Sequence, residues 1–461
     1  MADSQQVVVI GAGISGLACA YQLGRLGVPV RLLEAADHVG GLIGTADTEG
    51  FLFESGPQSF QATDTVQKLT RDIGLEGELC TADPRAPRYV LRRGRLHKIP
   101  MTPQAILTSS LLGNRARSKI ALEALRRTRP PSEEESIADF VRRKFGHEIL
   151  EYLVSPFVSG VYAGDPERLS LRAAFPTLDE WERQYGSVLR GAMKSRSSKT
   201  GSKTPPALCS FRRGLGTLVQ TLATKLGPSL STGARASMIS RCRIDNHTNY
   251  QVPFSKDGRQ QALAGRAVVL AVPAYIASHL VVSISESAAA ALSGIAYASV
   301  AVVGAAYHER QAGAPLDGFG VLIPRTERYR TLGIVWNSSL FPERAPKGQM
   351  VLTSFMGGAT DPEIVAKPDR EIIDIVESDH AKVLAMTGTP VATAICRHLK
   401  ALPQYNLGHL HAVEAIRDAQ CSTPGVFFAG NYLEGPSVGK CIENGFRTAE
   451  AVSDYVTRTS A

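Results

Sequence analysis

The stretch VVVIGAGISGLACAYQLGRLGVPVRLLEAADHVGG, Val7–Gly41, decides the fold. Val7–Ile10 is a continuous apolar run, as expected of a parallel strand covered on both faces. Ile14–Leu26 carries Leu17, Tyr21 and Leu23 among its apolar positions and is closed by Gly27, so it reads as a helix with a glycine cap. Val28–Leu33 reads as a second strand. Between the first strand and the helix stands Gly11-x-Gly13-x-x-Gly16. In that pattern the first glycine makes a tight turn, the second lets backbone approach a pyrophosphate, and the third lets the helix lie close on the strand. The N–H groups of the first helical turn then face a negative diphosphate. Glu34, 18 residues beyond Gly16 at the end of the second strand, would accept ribose hydroxyls and repel a 2′-phosphate. A glycine triplet alone is a weak signal, but strand, helix and acid together predict a dinucleotide site and disfavour NADP.

Working outward, Gly40-Gly41 gives a second close backbone approach soon after Glu34. Far away, FFAGNYLEGPSVGKCIENG (Phe427–Gly445) reads as strand, glycine turn and helix, with Gly430, Asn431 and Ser437-Val438 at a helix start. Together these segments resemble the FAD-containing amine-oxidase-like superfamily, in which the C-terminal segment closes over the flavin. The resemblance implies FAD contacts at Gly11, Ala12, Gly13, Ile14, Ser15, Gly16, Glu34, Ala35, Gly40, Gly41 and Leu42. It extends them to Gly56, Pro57, Gln58, Ser59, Ala236, Gly430, Asn431, Pro436, Ser437 and Val438. Three positions depart from the pattern: Asn431 where a small residue is usual, Pro436 in place of an aliphatic, and Ala236 in place of valine.

The chain has 461 residues, 44% hydrophobic and 20% charged, enough for about three domain-sized units and not the composition of a disordered chain. Seven scattered cysteines form no C-x-x-C, so neither a disulfide framework nor a zinc site is expected, and a reduced cytosol is the simpler compartment. The residues before Val7 carry no signal or transit pattern, and no run approaches the ~18 apolar residues of a spanning helix. The sequons at Asn246 and Asn337 therefore read as chance matches. Net charge is +8, but Arg85–Pro130 holds twelve Lys or Arg against one acid, Glu123; that segment is +11 and the rest of the chain −3. So local an excess points to an anionic partner at one place, and no nucleic-acid module accompanies it.

Beyond the basic stretch, Ile137–Val154 reads as one helix behind a cap at Ser132–Glu135, and Lys194–Pro206 as a polar loop. Ala267–Val272 is a buried strand. Runs around Val300–Tyr307, Phe319–Pro324, Leu332–Trp336 and Val351–Phe355 suggest a mostly antiparallel sheet, before Gly425–Ala429 returns to the nucleotide fold.

VSGVYAGDPERLSLRAAFP (Val158–Pro176) is the most distinctive segment, and it resembles the protoporphyrinogen oxidase family. So do APRYVLRRGRLHKIP, LDGFGVLIP, LGIVWNSSLFPERAP and FMGG, in the family's order. The resemblance implies an α/β fold: a discontinuous Rossmann-type FAD-binding domain with an inserted antiparallel-sheet substrate domain and an inserted helical, membrane-associated domain. The expected boundaries are 1–80, 208–275 and 405–461 for FAD binding; 81–98, 186–207 and 276–404 for substrate; and 99–185 for the helical domain.

It also implies the reaction. Protoporphyrinogen IX would lose six hydrogens as three hydride transfers to FAD, with O2 as acceptor giving H2O2, in heme biosynthesis. Tautomerisation within the macrocycle supplies each new hydride, so no catalytic acid or base is expected. Arg88 falls where the family places an arginine that pairs with a propionate, which suits a bidentate guanidinium. Phe319, Leu322 and Leu169 match apolar walls, Gly160 and Gly164 a loop near the ring, and Phe355-Met356 a further lining. Read without the resemblance, Arg88 is one more solvated charge and the apolar residues are core. His409-x-His411 lacks further ligands and reads as structural, with no metal expected.

The basic segment would sit on a membrane surface, at the cytoplasmic face of the cell membrane. A homodimer and hand-over of product to ferrochelatase are further implications. Coproporphyrinogen III is the rival substrate. A general amine oxidase or carotenoid desaturase would leave GVYAGDP unexplained. The non-enzyme alternative, a cofactor-free carrier like the GDP-dissociation inhibitors, would have lost the flavin contacts that this chain retains.

Overall fold

The computed structural model describes residues 6–100, 102–198, 207–244 and 247–460. Five parallel strands form the first sheet, in the order Leu230–Ser231, Val30–Leu33, Val7–Ile10, Ala267–Leu270 and Val426–Phe428. Its strands come from the start, middle and end of the chain, as the sequence patterns predict for all but the short edge strand Leu230–Ser231. Side chains alternate across it. Val7, Val9, Leu32, Val269 and Phe427 pack under the helices Ile14–Arg25, Gly216–Leu226 and Val438–Ser460. Val8, Ile10, Leu33, Val268 and Phe428 pack on the opposite face, beneath the helices Ala274–Val281, Glu286–Ser293 and His409–Ser422 and a small antiparallel sheet.

The second sheet has seven strands: Ala392–Pro403, Tyr297–His308, Gln349–Gly357, Thr331–Trp336, Gly320–Leu322, Arg88–Arg92 and Arg95–Lys98. All neighbours are antiparallel except Gly320–Leu322 against Arg88–Arg92. The early Arg88–Lys98 hairpin thus completes a sheet whose other strands all lie beyond Ala296 in the chain.

A third group, Pro103–Ser198, is helical around Phe140, Leu150, Val158, Tyr162 and Leu169. Three expectations are corrected here. The helix at Ile137 is capped by Ser136, whose hydroxyl accepts from Asp139 N at 3.0 Å, rather than by Ser132–Glu135. It ends at Lys144 because Gly146 turns left-handed, with φ +89°. The next stretch opens into a π-turn, Leu150–Val154, ahead of Pro156, which has no N–H for the regular ladder. Finally, Val188–Ser198 is a helix, so the polar loop does not begin at Lys194, and residues 199–206 of that expected loop lie outside the described residues. That helix packs on the helical group and not on the large sheet: Val188 N donates to buried Glu123 at 2.8 Å, and the Trp181 ring lies against Gly191.

All seven cysteines are free. Among the described residues no helix is long and apolar enough to cross a membrane. Asn337 is buried, which suits the chance reading of its sequon; Asn246 lies outside the described residues.

Candidate functional site

The glycine turn is a cradle with one open side. Gly11 has φ +101°, and a Cβ there would lie 2.5 Å from the Ala271 carbonyl oxygen. A Cβ on Gly16 would run into the Gly11 carbonyl. Gly13 differs: it has φ −68°, and a Cβ there meets nothing within 4 Å. Opposite it, Gly40 forms a parallel bridge with Gly13, Gly40 N donates to Ala12 O at 2.8 Å, and Gly41 turns toward the Gly13 Cα. Two glycine loops therefore face each other across space that only backbone borders. Ile14, Ser15 and Gly16, in the first turn of the helix, are buried behind it.

Glu34 ends the second strand with its carboxylate accepting Ala12 N at 2.6 Å and Ala36 N at 2.9 Å, beside exposed Ala35. The same stretch carries the 231–236 segment: Glu34 N donates to Ser231 O, and Ala234 N donates back to Glu34 O at 2.7 Å. Ala236 follows at the edge of the small sheet. An acid fixed at this point, next to a backbone groove and an open glycine cradle, fits the ribose and diphosphate of a dinucleotide.

Leu42 leads from the cradle to Gly56-Pro57-Gln58-Ser59. Ser55 Oγ donates to Leu42 O at 3.1 Å, and a Cβ on Gly56 would collide with the same carbonyl. Gln58, buried, donates to Gly56 O at 2.8 Å, and its own carbonyl oxygen accepts from Asn337 at 2.6 Å and Thr353 at 3.2 Å. The His398 ring also holds the Ser55 carbonyl at 2.7 Å. Asn337 follows the strand Thr331–Trp336, Thr353 and His398 lie within strands, and all three belong to the large sheet's side of the molecule. This loop is therefore clasped between the two sheets.

At the other end of the chain, Gly430 N donates to Asn444 Oδ1 at 2.9 Å, and the buried Tyr432 ring fills the space a side chain at Gly430 would need. Ser437, after Pro436, caps the last helix at Val438 by accepting Lys440 N at 3.3 Å. Tyr405 hydroxyl donates to Asn431 O, and the His409 ring, stacked on Tyr405 at 4.3 Å, reaches Tyr432 O at 2.9 Å. Burial depresses the His409 pKa to about 4, so the ring is neutral and serves as a strut.

One face of the large sheet looks toward this cradle. Strand register sets Leu322, Gly333, Phe355, Val302 and Cys396 in one transverse row. Arg88, Gly320, Val335, Thr353 and Gly304 form the next. Gly333 carries no side chain between Leu322 and Phe355, which leaves a shallow trough in this face; Leu322 Cδ2 lies 3.4 Å from where a Gly333 Cβ would sit. Gly160 lies over one wall, since a Cβ there would come 2.7 Å from Leu322 Cδ2. The Arg88 guanidinium sits 5.1 Å from the centre of the Phe319 ring, and no carboxylate among the described residues is in ion-pair range of it.

Two expected lining residues are not on this face. Met356 is fully buried on the reverse side with Ala301, Val303 and Ile372, under the helix Asp369–Leu384. Neighbours in a strand point oppositely, so Phe355 and Met356 cannot line one cavity. Leu169 is likewise wholly buried, packed against Gly164, and shapes the helical core behind the loop. The sequence reading missed Gly333, Asn337, Thr353 and His398. Period-two alternation in Thr331–Trp336 and Gln349–Gly357 could have flagged Gly333 and Thr353; Asn337 and His398 carry no local signal.

Residues 14–453 match the family model described as flavin containing amine oxidoreductase. The chain is 36% identical to the chloroplastic protoporphyrinogen oxidase of Nicotiana tabacum, over 98% of its own length and 86% of the relative's. It is 30% identical to the coproporphyrinogen III oxidase of Bacillus subtilis (strain 168), over 99% of each chain. Among solved structures, reduced UDP-galactopyranose mutase superposes with a TM-score of 0.73 at 16% identity, over 99% of this chain and 98% of that one. At that identity the likeness speaks for the fold alone.

Proposed function

The chain belongs to the flavin containing amine oxidoreductase family and is a FAD-dependent oxidoreductase, and from that premise we propose that it oxidises protoporphyrinogen IX to protoporphyrin IX. The residues present suit FAD: Gly13 and Gly41 leave room for the diphosphate, Glu34 stands ready for the ribose, and Gly56–Ser59 with Asn431–Val438 border the flavin end. FAD, when bound, supplies the hydride acceptor and passes electrons on to O2.

The protein's own work is then orientation and enclosure. Arg88 receives a propionate and sets the macrocycle's rim, while Phe319, Leu322 and Phe355 hold its apolar faces over the bare floor at Gly333. Gly160 admits the ring to close contact. Gln58, Asn337, Thr353 and His398 keep the cradle side in register with the trough. No side chain is assigned proton transfer. The observation that carries this reading is Arg88: a guanidinium with no acidic partner among the described residues, over an aromatic ring, at the end of an apolar trough on the sheet face that meets the cradle side.

The relative from Bacillus subtilis favours a second reading, coproporphyrinogen III as substrate. Porphyrin fluorescence under air separates the two. The proposal expects kcat/KM for protoporphyrinogen IX to exceed that for coproporphyrinogen III by at least tenfold, roughly one to two kcal/mol of differential binding. The reverse order would assign the chain to the second reading.

The division into domains remains part of the proposal, with residues 188–198 moved to the helical group. The two sheets' separate cores support it. The helical group carries Arg115, Arg117, Lys119, Arg126, Arg127 and Arg129 of the basic segment and exposes Leu122, Leu125, Phe157 and Val161; it is proposed to rest on a membrane surface. A homodimer and hand-over to ferrochelatase belong to the same proposal. Membrane recovery that falls with added salt supports the electrostatic part; equal recovery in low and high salt sinks it.

A further inference from the structure

The helical group contains a groove, lined by none of the residues of the cradle or the sheet face, that the reaction does not use. It is an open groove of about 570 Å3, lined among others by Arg127, Arg129, Arg183, Arg190, Tyr185 and Met193, and none of its lining residues is acidic. Arg127 and Arg129 are exposed and form no ion pair among the described residues. Arg190 donates to the carbonyls of Ala124, at 2.8 Å, and Leu125, which fixes the guanidinium without neutralising it. Arg183 has a carboxylate partner, Asp179 at 2.8 Å. Lys194 lies over the Tyr185 ring at 4.9 Å.

The floor is rigid. Thr128 N donates to Gly186 O at 2.9 Å, and Thr128 Oγ1 donates to Glu182 at 2.8 Å. Glu182, without solvent exposure, also binds Arg143 and Lys144 at 2.7 Å. The basic side chains therefore stand on an ordered platform instead of a loose surface run.

Beside the groove the surface is apolar. Leu125 is 75% exposed, Met193 60% and Leu122 38%. Leu122 and Leu125 are three apart on the helix Asn114–Leu125, so they share a face. Glu123 between them points inward, to Ser187 Oγ and Val188 N. An anion-binding groove bordered by exposed aliphatic side chains matches a molecule that is anionic at one end and hydrocarbon at the other.

We propose that this groove holds the phosphate headgroup of an anionic glycerophospholipid, with Leu122, Leu125 and Met193 entering the acyl layer beside it. The assignment rests on the membrane-surface reading of the helical group and sharpens it from diffuse attraction to one site.

The test is flotation of the full-length holoprotein with phosphatidylcholine vesicles, with and without phosphatidylglycerol, at physiological ionic strength. The doubly reversed variant Arg127→Glu/Arg129→Glu is compared with Arg243→Glu/Arg259→Glu, an equal charge change at exposed positions on the small antiparallel sheet. Bound-flavin absorbance confirms that both variants fold. The groove variant should lose on the order of thirtyfold in partitioning to phosphatidylglycerol vesicles. The control should lose less than about threefold, because charges beyond a Debye length of roughly 8 Å are screened. Equal losses in the two variants would replace the site by diffuse charge. Unchanged binding of the groove variant would overturn the site and leave the membrane reading standing. Failure of the unaltered protein to float would remove both. Glycerol phosphate binding the free protein as tightly as the vesicles do would make it a site for a soluble phosphate and overturn the lipid assignment.

Discussion

Among single residues, Gly13 and Gly16 belong to one motif and do different work. A methyl at Gly16 collides with the Gly11 carbonyl, whereas one at Gly13 enters open space on a backbone that alanine tolerates. Gly13→Ala should therefore fold with the thermal stability of the flavin-free protein yet retain little flavin. Gly16→Ala should lose the fold's stability first. Melting curves of the apoproteins, read beside flavin absorbance, check the pair; a Gly13→Ala protein that keeps full flavin would remove that residue from the cradle. Arg88→Ala should raise KM roughly ten- to hundredfold, the worth of a charged hydrogen bond, and leave kcat within about threefold. Unchanged steady-state kinetics would take Arg88 out of propionate binding. The cradle was legible residue by residue because all of its parts lie within Val7–Gly41 and each glycine answers a local steric demand. Arg88 was legible only through family resemblance, since its guanidinium meets Phe319 from a strand far away in sequence.

Elements show where local pattern stops being enough. The run Phe355-Met356 reads as one lining in sequence, but a strand sends neighbours to opposite faces: Phe355 packs with Val302 and Cys396, Met356 with Ala301 and Val303 on the reverse side. Met356→Ala should cost about 2–5 kcal/mol of stability by leaving a core cavity, with KM unaltered. Phe355→Ala should instead lower kcat/KM; chemical denaturation and kinetics on both variants separate core from lining. The helical group makes a second case. Ser132–Glu135 looked like a cap by composition, yet Ser136 has the position whose hydroxyl reaches Asp139 N. Beneath these helices, burial pushes the Glu182 pKa up, but donors from Arg143, Lys144 and Thr128 outweigh it and bring it down to about 2 from the ordinary 4.5. A depressed pKa means stability that is present above about pH 4.5 and is lost as pH falls toward 2. The midpoint of urea unfolding should drop between pH 5 and pH 3, and Glu182→Gln should flatten that slope. An equal slope in the variant would show that Glu182 does not carry the acid sensitivity.

For the molecule as a whole, the two sheets meet through a handful of long-range contacts that no window of sequence displays. Gln58 with Asn337 and Thr353, and His398 with Ser55, join positions some three hundred residues apart. Fold class was readable because hydrophobic period, glycine turns and the returning C-terminal strand are each local. The trough was not, because it is an absence of side chain at Gly333, visible only once Leu322 and Phe355 stand on either side of it. Cradle and trough together would let a flavin held by the first sheet take hydride from a porphyrinogen held on the second. Anaerobic mixing of the holoprotein with protoporphyrinogen IX reads that transfer without the oxygen step. Rapid bleaching of the flavin absorbance, with porphyrin fluorescence rising as air is readmitted, is the predicted result; a flavin left oxidised in the presence of both protoporphyrinogen IX and coproporphyrinogen III would contradict it.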